Sequence, residues 1–160
     1  MSTDRISTSR RIGAAPAVIF AMLADPSQHV AIDGSGMLKG AIDAHPLGSV
    51  GDTFDMDMDR TPLNDIPGLV EYQVRNVVTQ IEPDRLIEWT TGGIDNPPVG
   101  HVYGWQLEPV DGTGAQATQV THYCDWSGIS DEMRTRRSWP IVPLAMLEAS
   151  IAKLDRLVSG

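Results

Sequence analysis

The sequence predicts an α+β fold: a curved antiparallel sheet of about seven strands wrapped around a long C-terminal helix, with short helices after the first strand. The middle of the chain is a run of strand-like segments divided by turn residues, among them Pro67-Gly68 and Pro83-Asp84. Most connections are too short for a crossover helix, so neighbouring strands should be antiparallel. The C-terminal segment has an apolar stripe at helical spacing, and one face of the sheet is the surface available to cover it.

The elements can be placed in chain order. Residues 5–12 are a candidate first strand, and residues 14–26 are a short helix in which Pro16 suits the first turn and Asp25-Pro26 ends it. Residues 27–33 add a further helical turn. Strand segments follow over residues 37–45, 53–60, 69–83, 85–91, 101–109 and 117–126, with a turn at Asp111-Gly112-Thr113-Gly114 before the last of them. The final helix starts at Pro143, and its stripe consists of Leu144, Leu147, Ile151, Leu154 and Val158.

Length and composition limit the classes of function. The chain has 160 residues, 41% of them hydrophobic, which suits a single domain over residues 1–160. The net charge of −9 argues against sequence-independent nucleic-acid binding and against membrane attachment by charge. A single cysteine, Cys124, excludes an internal disulfide framework and a multi-cysteine zinc site. The polar N-terminus shows no signal peptide and no segment reads as a membrane span, so the expected location is the cytoplasm.

The stretch TFDMDMDR alternates acids with methionines and raises the question of a calcium loop. An EF-hand loop that began at its first aspartate would need glycine and a carboxylate at the positions of Arg60 and Ile66. In a strand, alternate side chains point to opposite faces, so Phe54, Met56 and Met58 share one face and the aspartates the other. We therefore predict a half-buried strand with a water-facing acidic side and no metal. Its apolar side suits a cavity wall and plain core filling equally.

The same alternation predicts which other side chains face the helix. His122 and Cys124 share a face with Val120 and Trp126, and the other inward sets are His101, Tyr103, Trp105 and Leu107, then Ile87 and Trp89. If these faces converge, they form an apolar chamber with a few polar groups, the pattern of a small-molecule site. The predicted ligand-binding residues are Phe54, Met56, Met58, Trp89, His101, Tyr103, Trp105 and His122. Core filling by the two tryptophans is an equal alternative, and a one-residue bulge would invert the faces downstream of it.

No catalytic residue is assured by the sequence. His122 is the best candidate for a general acid or base, because a strand position beside Cys124 would bury its ring, and Tyr103 is a candidate donor to an oxyanion. A histidine satisfied within the core is the more frequent outcome. Cys124 fits a small buried hydrophobe better than a nucleophile. The four histidines show no zinc spacing, and we predict no metal and no cofactor.

Two polar stretches could border the chamber. Asp33-Gly34-Ser35-Gly36 lacks the strand-to-helix setting of a phosphate loop, so turn formation by Asp33 is the favoured interpretation. Residues 131–140 contain Arg134, Arg136 and Arg137, which could steer an anionic ligand such as a fatty-acid carboxylate. A solvated stretch on an acidic surface is the favoured alternative.

Three stretches resemble bacterial members of the polyketide cyclase/START-like superfamily, the SRPBCC or helix-grip proteins. They are APAVIFAMLADPSQHVAIDGSG after the first strand, VVTQIEPDRLIEWTT in the middle, and YGWQLEPVDGTGAQATQVTHYCDWSG near the end. Together with the order of elements, the resemblance covers most of the chain. It implies a ligand cavity between the sheet and the C-terminal helix, with the loop at Asp33 near its mouth. It implies no particular chemistry, because this fold hosts carriers, receptors and enzymes.

Three functions are compatible with these features. The first is a protein that binds a small hydrophobic or amphipathic molecule, lipid-like or polyketide-like, through apolar burial. The second is a polyketide cyclase or dehydratase that uses the same chamber, with His122 as its acid or base. The third is a partner-binding module with a vestigial cavity, to which the acidic strand face gives little support. The predicted partner is thus a small hydrophobic molecule rather than nucleic acid, no membrane span is expected, and a homodimer stays open.

Overall fold

The computed structural model of the protein describes residues 4–110 and 116–159. Its strands are β1 (Arg5–Ile12), β2 (Leu38–Ile42), β3 (Thr53–Asp59), β4 (Glu71–Glu82), β5 (Leu86–Gly93), β6 (Val102–Pro109) and β7 (Thr118–Asp125). Its helices are α1 (Pro16–Leu23), α2 (His29–Ile32), α3 (Asp131–Arg136) and α4 (Leu144–Ser159), with a 3₁₀ turn (Pro26–Gln28) before α2. The turn predicted at residues 111–114 lies outside the described residues.

The seven strands form one antiparallel sheet in the order β1-β7-β6-β5-β4-β3-β2. Strands β2 to β7 follow one another as neighbours, as their short connections predict. The first strand returns beside the last, where Arg5 stands opposite Asp125 and Ile12 opposite Thr118. Helix α4 packs against β1, β7, α1 and α2. The predicted α+β fold, a curved antiparallel sheet around a long C-terminal helix, is therefore confirmed.

Helix α4 buries most of the stripe that its spacing predicts. Leu147, Ile151 and Leu154 are fully covered by the sheet and the short helices. The prediction is wrong at the first position of the stripe, because Leu144, the first residue of the helix, keeps 39% of its surface exposed. The stripe is also wider than predicted, since the polar residue Ser150 is buried too.

Ser150 is buried because the loop after α2 closes over it. The backbone N–H of Gly34 donates a hydrogen bond to Ser150 Oγ at 2.8 Å, which satisfies the buried hydroxyl. A Cβ at position 34 would overlap the backbone of Ala149 and Ser150, so only glycine allows this approach. The loop thereby fixes α4 against the α2 side of the molecule.

The outer face of the sheet is less exposed than simple alternation predicts. Tyr123 points away from α4 but is only 2% exposed, because its ring packs against Gly104 of the neighbouring strand and the guanidinium of Arg5 lies over it, with Cζ 3.9 Å from the ring centroid. Its hydroxyl donates to Glu88 Oε1 at 2.6 Å, while Thr79 Oγ1 and Gln80 Nε2 donate to Glu88 Oε2 at 2.6 and 3.0 Å. Burial and the bond to Glu88 raise the pKa of Tyr123. This polar cluster covers the centre of the outer face.

The alternating aspartates of β3 also lie on the outer face, as predicted. They are bonded to neighbours rather than only to water: Asp55 accepts two bonds from Arg75 at 2.8 Å each, and Asp57 accepts one from Gln73 at 3.0 Å. The side-chain hydrogen bond from Arg75 lowers the pKa of Asp55. These hydrogen bonds to side chains of the neighbouring strand account for the aspartates as part of the outer surface of the sheet.

Helix α3 was not predicted from the sequence. Ser130 caps it by accepting a hydrogen bond from the N–H of Met133 at 3.2 Å, and acids occupy its first turn and arginines its last turn. None of the helices in the described part of the chain combines the length and the apolar character needed to cross a bilayer.

Candidate ligand-binding cavity

A cavity of about 320 Å³ lies between the sheet and α4. Its wall consists of the inward faces of β3 to β7, parts of α2 and α4, and the segment around and after α3. The structure places all eight sequence-predicted site residues in this wall, namely Phe54, Met56, Met58, Trp89, His101, Tyr103, Trp105 and His122. The alternation of side chains along the strands therefore predicted correctly that these residues line the cavity. Contact between these residues and a ligand stays a prediction.

Packed rings form one part of the wall. Phe54 meets Trp89 edge-on, with their ring centroids 5.3 Å apart, and His29 stacks on Trp89 at 5.2 Å. The Nε2 of His29 lies 2.8 Å from the carbonyl oxygen of Leu23, and because a carbonyl only accepts, Nε2 carries the proton. Burial lowers the pKa of His29, so the ring stays neutral. Sequence reasoning missed His29, since α2 gave no alternation to follow.

His122 is buried and inward-facing, as predicted, but its surroundings are not those of an acid–base pair. Its ring stacks on Trp105 with centroids 3.7 Å apart, and its Nδ1 donates to the carbonyl oxygen of Gly104 at 2.9 Å. Burial lowers the pKa of His122 to about 4, against the opposing effect of the Gly104 bond. Within residues 4–110 and 116–159, no second side chain is hydrogen-bonded to this imidazole. Its Nε2 is consequently an unprotonated acceptor near neutral pH.

A buried cation lies in another part of the wall. Arg60 is only 9% exposed, and its Nε and Nη2 donate to the two carboxylate oxygens of Asp65 at 2.8 Å each. Its Nη1 donates to the hydroxyl of Tyr72 at 3.2 Å. The hydrogen bond to Asp65 raises the pKa of Arg60, and the same bond lowers the pKa of Asp65. The bidentate pair with Asp65 thus holds the Arg60 guanidinium in one orientation.

His101 adjoins this cation and has an unsatisfied nitrogen. Its ring is 5% exposed and meets the rings of Trp139 and Tyr103 edge-on, at 5.0 and 5.4 Å. Burial, followed by the nearby Arg60 charge, lowers the pKa of His101 to about 4. In the described part of the chain its Nδ1 is buried without a hydrogen-bond partner. Burying a polar atom without a hydrogen-bond partner lowers the stability of the fold by about 1–3 kcal/mol. A ligand atom that bonded to this nitrogen would remove that cost.

Tyr103 and Cys124 lie side by side on adjacent strands, where they are register partners. Burial raises the pKa of Tyr103, and burial also raises the pKa of Cys124 to about 12. The cysteine is therefore a protonated thiol near neutral pH, which agrees with the prediction of a small buried hydrophobe. The phenol remains a hydrogen-bond donor in the cavity wall.

The two polar stretches have different roles. Asp33 lies in the wall but forms the predicted turn: Oδ1 accepts from the N–H and Oγ of Ser35 at 2.9 and 2.6 Å, and Oδ2 accepts from the N–H of Leu38 at 3.2 Å. Among the arginines, Arg134 pairs with Asp4 and Arg136 with Glu132, at 2.9 and 3.5 Å, and neither lines the cavity. Arg137 does line it.

The sequence analysis also missed most of the cavity wall that the segment around and after α3 provides. The cavity-lining residues of this segment are Met133, Arg137, Trp139, Ile141 and Val142. Trp139 is fixed by a hydrogen bond from its Nε1 to the carbonyl oxygen of Met133 at 2.9 Å. The usable signal was the apolar cluster WPIVP between two polar stretches, which would be unusual in a solvated linker. Among residues 4–110 and 116–159, no three histidine, cysteine or acidic side chains are grouped closely enough to share a metal ion.

No protein-family model matches this chain. Uncharacterized protein Rv0088 of Mycobacterium tuberculosis is 30% identical over 153 residues, which cover 94% of this chain and 62% of that protein. The chain thus spans less than two thirds of the length of the curated relatives it matches.

Among solved structures, protein Ms6760 from Mycobacterium smegmatis superimposes with a TM-score of 0.65 at 16% identity, covering 97% of this chain and 90% of that one. A point mutant of norcoclaurine synthase from Thalictrum, solved with a transition-state analogue, gives a TM-score of 0.59 at 15% identity, with coverages of 96% and 92%. The chain has the helix-grip fold. At such identities the likeness concerns the fold alone, because a helix-grip scaffold can carry many functions.

Proposed function

We propose that this protein belongs to the polyketide cyclase/START-like superfamily and binds a small hydrophobic or amphipathic molecule, lipid-like or polyketide-like, between the sheet and α4. The observation that carries the proposal is the cavity of about 320 Å³, which is walled mainly by aromatic, methionine and aliphatic side chains. Its volume falls in the range of small-molecule sites. A cavity of about 150 Å³ accommodates benzene, so this one suits a molecule with about two rings or a medium-length chain.

The composition of the wall favours apolar burial as the source of affinity. Each buried Å² of apolar surface contributes roughly 25 cal/mol, and the rings of Phe54, Trp89 and Trp105 offer large flat areas. Met56 and Met58 can adjust their shape to different ligands, because their side chains are unbranched. The imidazoles of His29 and His122 are already bonded to backbone carbonyls, so the cavity needs few polar ligand groups.

The cyclase alternative finds less support in the site. A general base works best with a pKa near the operating pH, whereas burial holds the pKa of His122 at about 4. Its Nδ1–H is bonded to the Gly104 carbonyl, and among the described residues no carboxylate is bonded to the ring to raise its basicity. We therefore propose a binding protein rather than an enzyme.

The test uses N-phenyl-1-naphthylamine, a neutral probe whose fluorescence rises in apolar surroundings. The protein should bind it saturably with one site. Met58→Trp should fill part of the cavity and weaken binding at least tenfold, whereas Val50→Trp adds the same ring at a position that is 64% exposed and should bind like the parent protein. Unsaturable binding, or equal binding by Met58→Trp, would refute the proposal.

Native mass spectrometry of protein purified from its source organism then addresses the natural ligand. We expect a small molecule that is retained under native conditions, released on denaturation, and depleted in the Met58→Trp variant. His122→Ala separates the two functions, because a variant of a carrier can change in affinity but has no turnover to lose. Conversion of the co-purified molecule by the parent protein and not by His122→Ala would establish the enzyme instead.

A further inference from the structure

We propose that the ligand is an amphipathic monocarboxylate, whose carboxylate docks between Arg60 and Arg137 while its apolar body lies among the aromatic rings. This inference rests on the proposed function, since it names the class of molecule that the same cavity takes. It concerns the part of the wall where the Arg60 charge acts on His101 and where both Arg60 and Arg137 act on Asp65.

Two N–H groups of the Arg60 guanidinium have no acceptor among the described residues. A guanidinium carries five N–H groups. In the described structure three of them are used, two toward Asp65 and one toward Tyr72. The remaining two belong to Nη1 and Nη2 of a side chain that lies in the cavity wall and is held in place by its bidentate partner. A guanidinium that is held in one orientation is well suited to donate these remaining hydrogen bonds to a second carboxylate.

Arg137 supplies the second cation. It lines the same cavity, and in the described part of the chain its guanidinium bonds only to the carbonyl oxygen of Arg136, at 3.0 Å, and is in no ion pair. Both Arg60 and Arg137 lower the pKa of Asp65, Arg60 through its hydrogen bond first and Arg137 through its charge. Arg60 is thus paired with Asp65, whereas Arg137 acts on this carboxylate only through its charge, and the positive charge of Arg137 has no ion-pair partner among the described residues. That surplus matches a monoanion better than a dianionic phosphate.

The other polar groups of the wall do not cancel this surplus. Asp33 is the acid among the lining residues, and its carboxylate already accepts bonds from Ser35 and Leu38 within its turn. His101, adjacent to Arg60, is neutral and offers the buried Nδ1 that has no partner among the described residues. That nitrogen could bond a second polar atom near the carboxylate. Because the chain as a whole carries a charge of −9, a local pair of cations is what an anionic ligand would require.

The test compares two ligands of equal shape, naphthalene-2-carboxylate and its neutral carboxamide, by isothermal titration calorimetry. The parent protein should bind the carboxylate at least tenfold more tightly. Arg137→Gln should remove that preference by weakening the carboxylate alone, and Arg137→Lys should restore part of it. Arg136→Gln is the matched control, because this neighbouring arginine lies outside the cavity and pairs with Glu132.

The outcomes separate the two proposals. Equal affinity for the two ligands in the parent protein, or an unchanged preference in Arg137→Gln, would overturn the carboxylate inference and leave the apolar cavity function standing. Failure to bind either ligand, together with failure to bind N-phenyl-1-naphthylamine, would overturn the proposed function itself. Carboxylate binding that is weakened equally by Arg136→Gln would show general surface charge attraction and would also overturn the docking position.

Discussion

Gly104→Ala is expected to destabilise the protein strongly, although it adds a single methyl group to a strand. Gly104 lies in β6 beneath the ring of Tyr123, and a Cβ at this position would overlap the ring. The ring cannot simply move outward, because its hydroxyl is held by Glu88 at 2.6 Å. The substitution should therefore displace the ring and break the bond to the buried carboxylate.

The magnitude follows from these two losses. Overpacking a well-packed site costs about 1–3 kcal/mol, and a buried polar group left without its partner costs about 1–3 kcal/mol. The expected loss in the free energy of unfolding is about 2–6 kcal/mol. In urea unfolding followed by circular dichroism, a slope of about 2 kcal/mol per M converts this loss to a fall in the midpoint of about 1–3 M, at an unchanged slope. Gly40→Ala in β2 is the matched control, since nothing lies within 4 Å of its added Cβ, and it should shift the midpoint little.

A double-mutant cycle tests the stated cause. In a Tyr123→Ala background the ring is absent, so the methyl group at position 104 has room and Gly104→Ala should cost about 0.5 kcal/mol or less. The coupling free energy should therefore be about 2 kcal/mol or more. An equal loss from Gly104→Ala in both backgrounds would refute the argument, because it would place the strain in the backbone of β6 rather than in the contact with Tyr123.

Three further predictions follow from the described contacts. Between pH 7 and pH 5 the unfolding free energy should fall by about 2 kcal/mol through His122 alone, because its pKa is 6.5 when unfolded and about 4 when folded, and His122→Gln should remove that share of the slope. Gly34→Ala should cost about 1–3 kcal/mol in urea unfolding and weaken N-phenyl-1-naphthylamine binding, whereas Gly13→Ala, with nothing near its added Cβ, should do neither. Asp55→Asn, which breaks the exposed pair with Arg75, should lower the thermal midpoint only slightly, less so in high salt, and leave probe binding unchanged.

The inward faces of the strands could be predicted from sequence because alternation is a local property. Phe54, Met56 and Met58 are two residues apart on one strand, and no knowledge of the neighbouring strands is needed to place them together. Strand β4 contains a register shift between Val78 and Gln80, yet the faces of the later strands were placed correctly. Each later strand carries an apolar set of its own, so an error in one strand does not propagate to the next.

The missed features depend on contacts between distant segments. The burial of Tyr123 requires a glycine opposite it in β6, and the sequence does not give the register that brings Gly104 there. Arg60 follows the last residue of β3, where alternation ends; its backbone N–H bonds to Val70 and its side chain turns to Asp65 in the intervening loop. A charged residue at the end of an acidic strand reads as solvent-exposed, and only the folded loop shows that it enters the cavity wall.

The electrostatics of the cavity wall favour the proposed binding function over proton-transfer chemistry. Every shifted pKa in the wall is moved further from neutral pH. The pKa of His29 is lowered, and the pKa values of His101 and His122 are lowered to about 4. The pKa values of Tyr103 and Arg60 are raised. An acid–base enzyme needs at least one group poised near its working pH. In this wall the histidines stay neutral and Arg60 stays charged across the physiological range. This fixed pattern of charge agrees with the proposed binding of an amphipathic molecule, and it predicts that the protein leaves the covalent structure of its ligand unchanged.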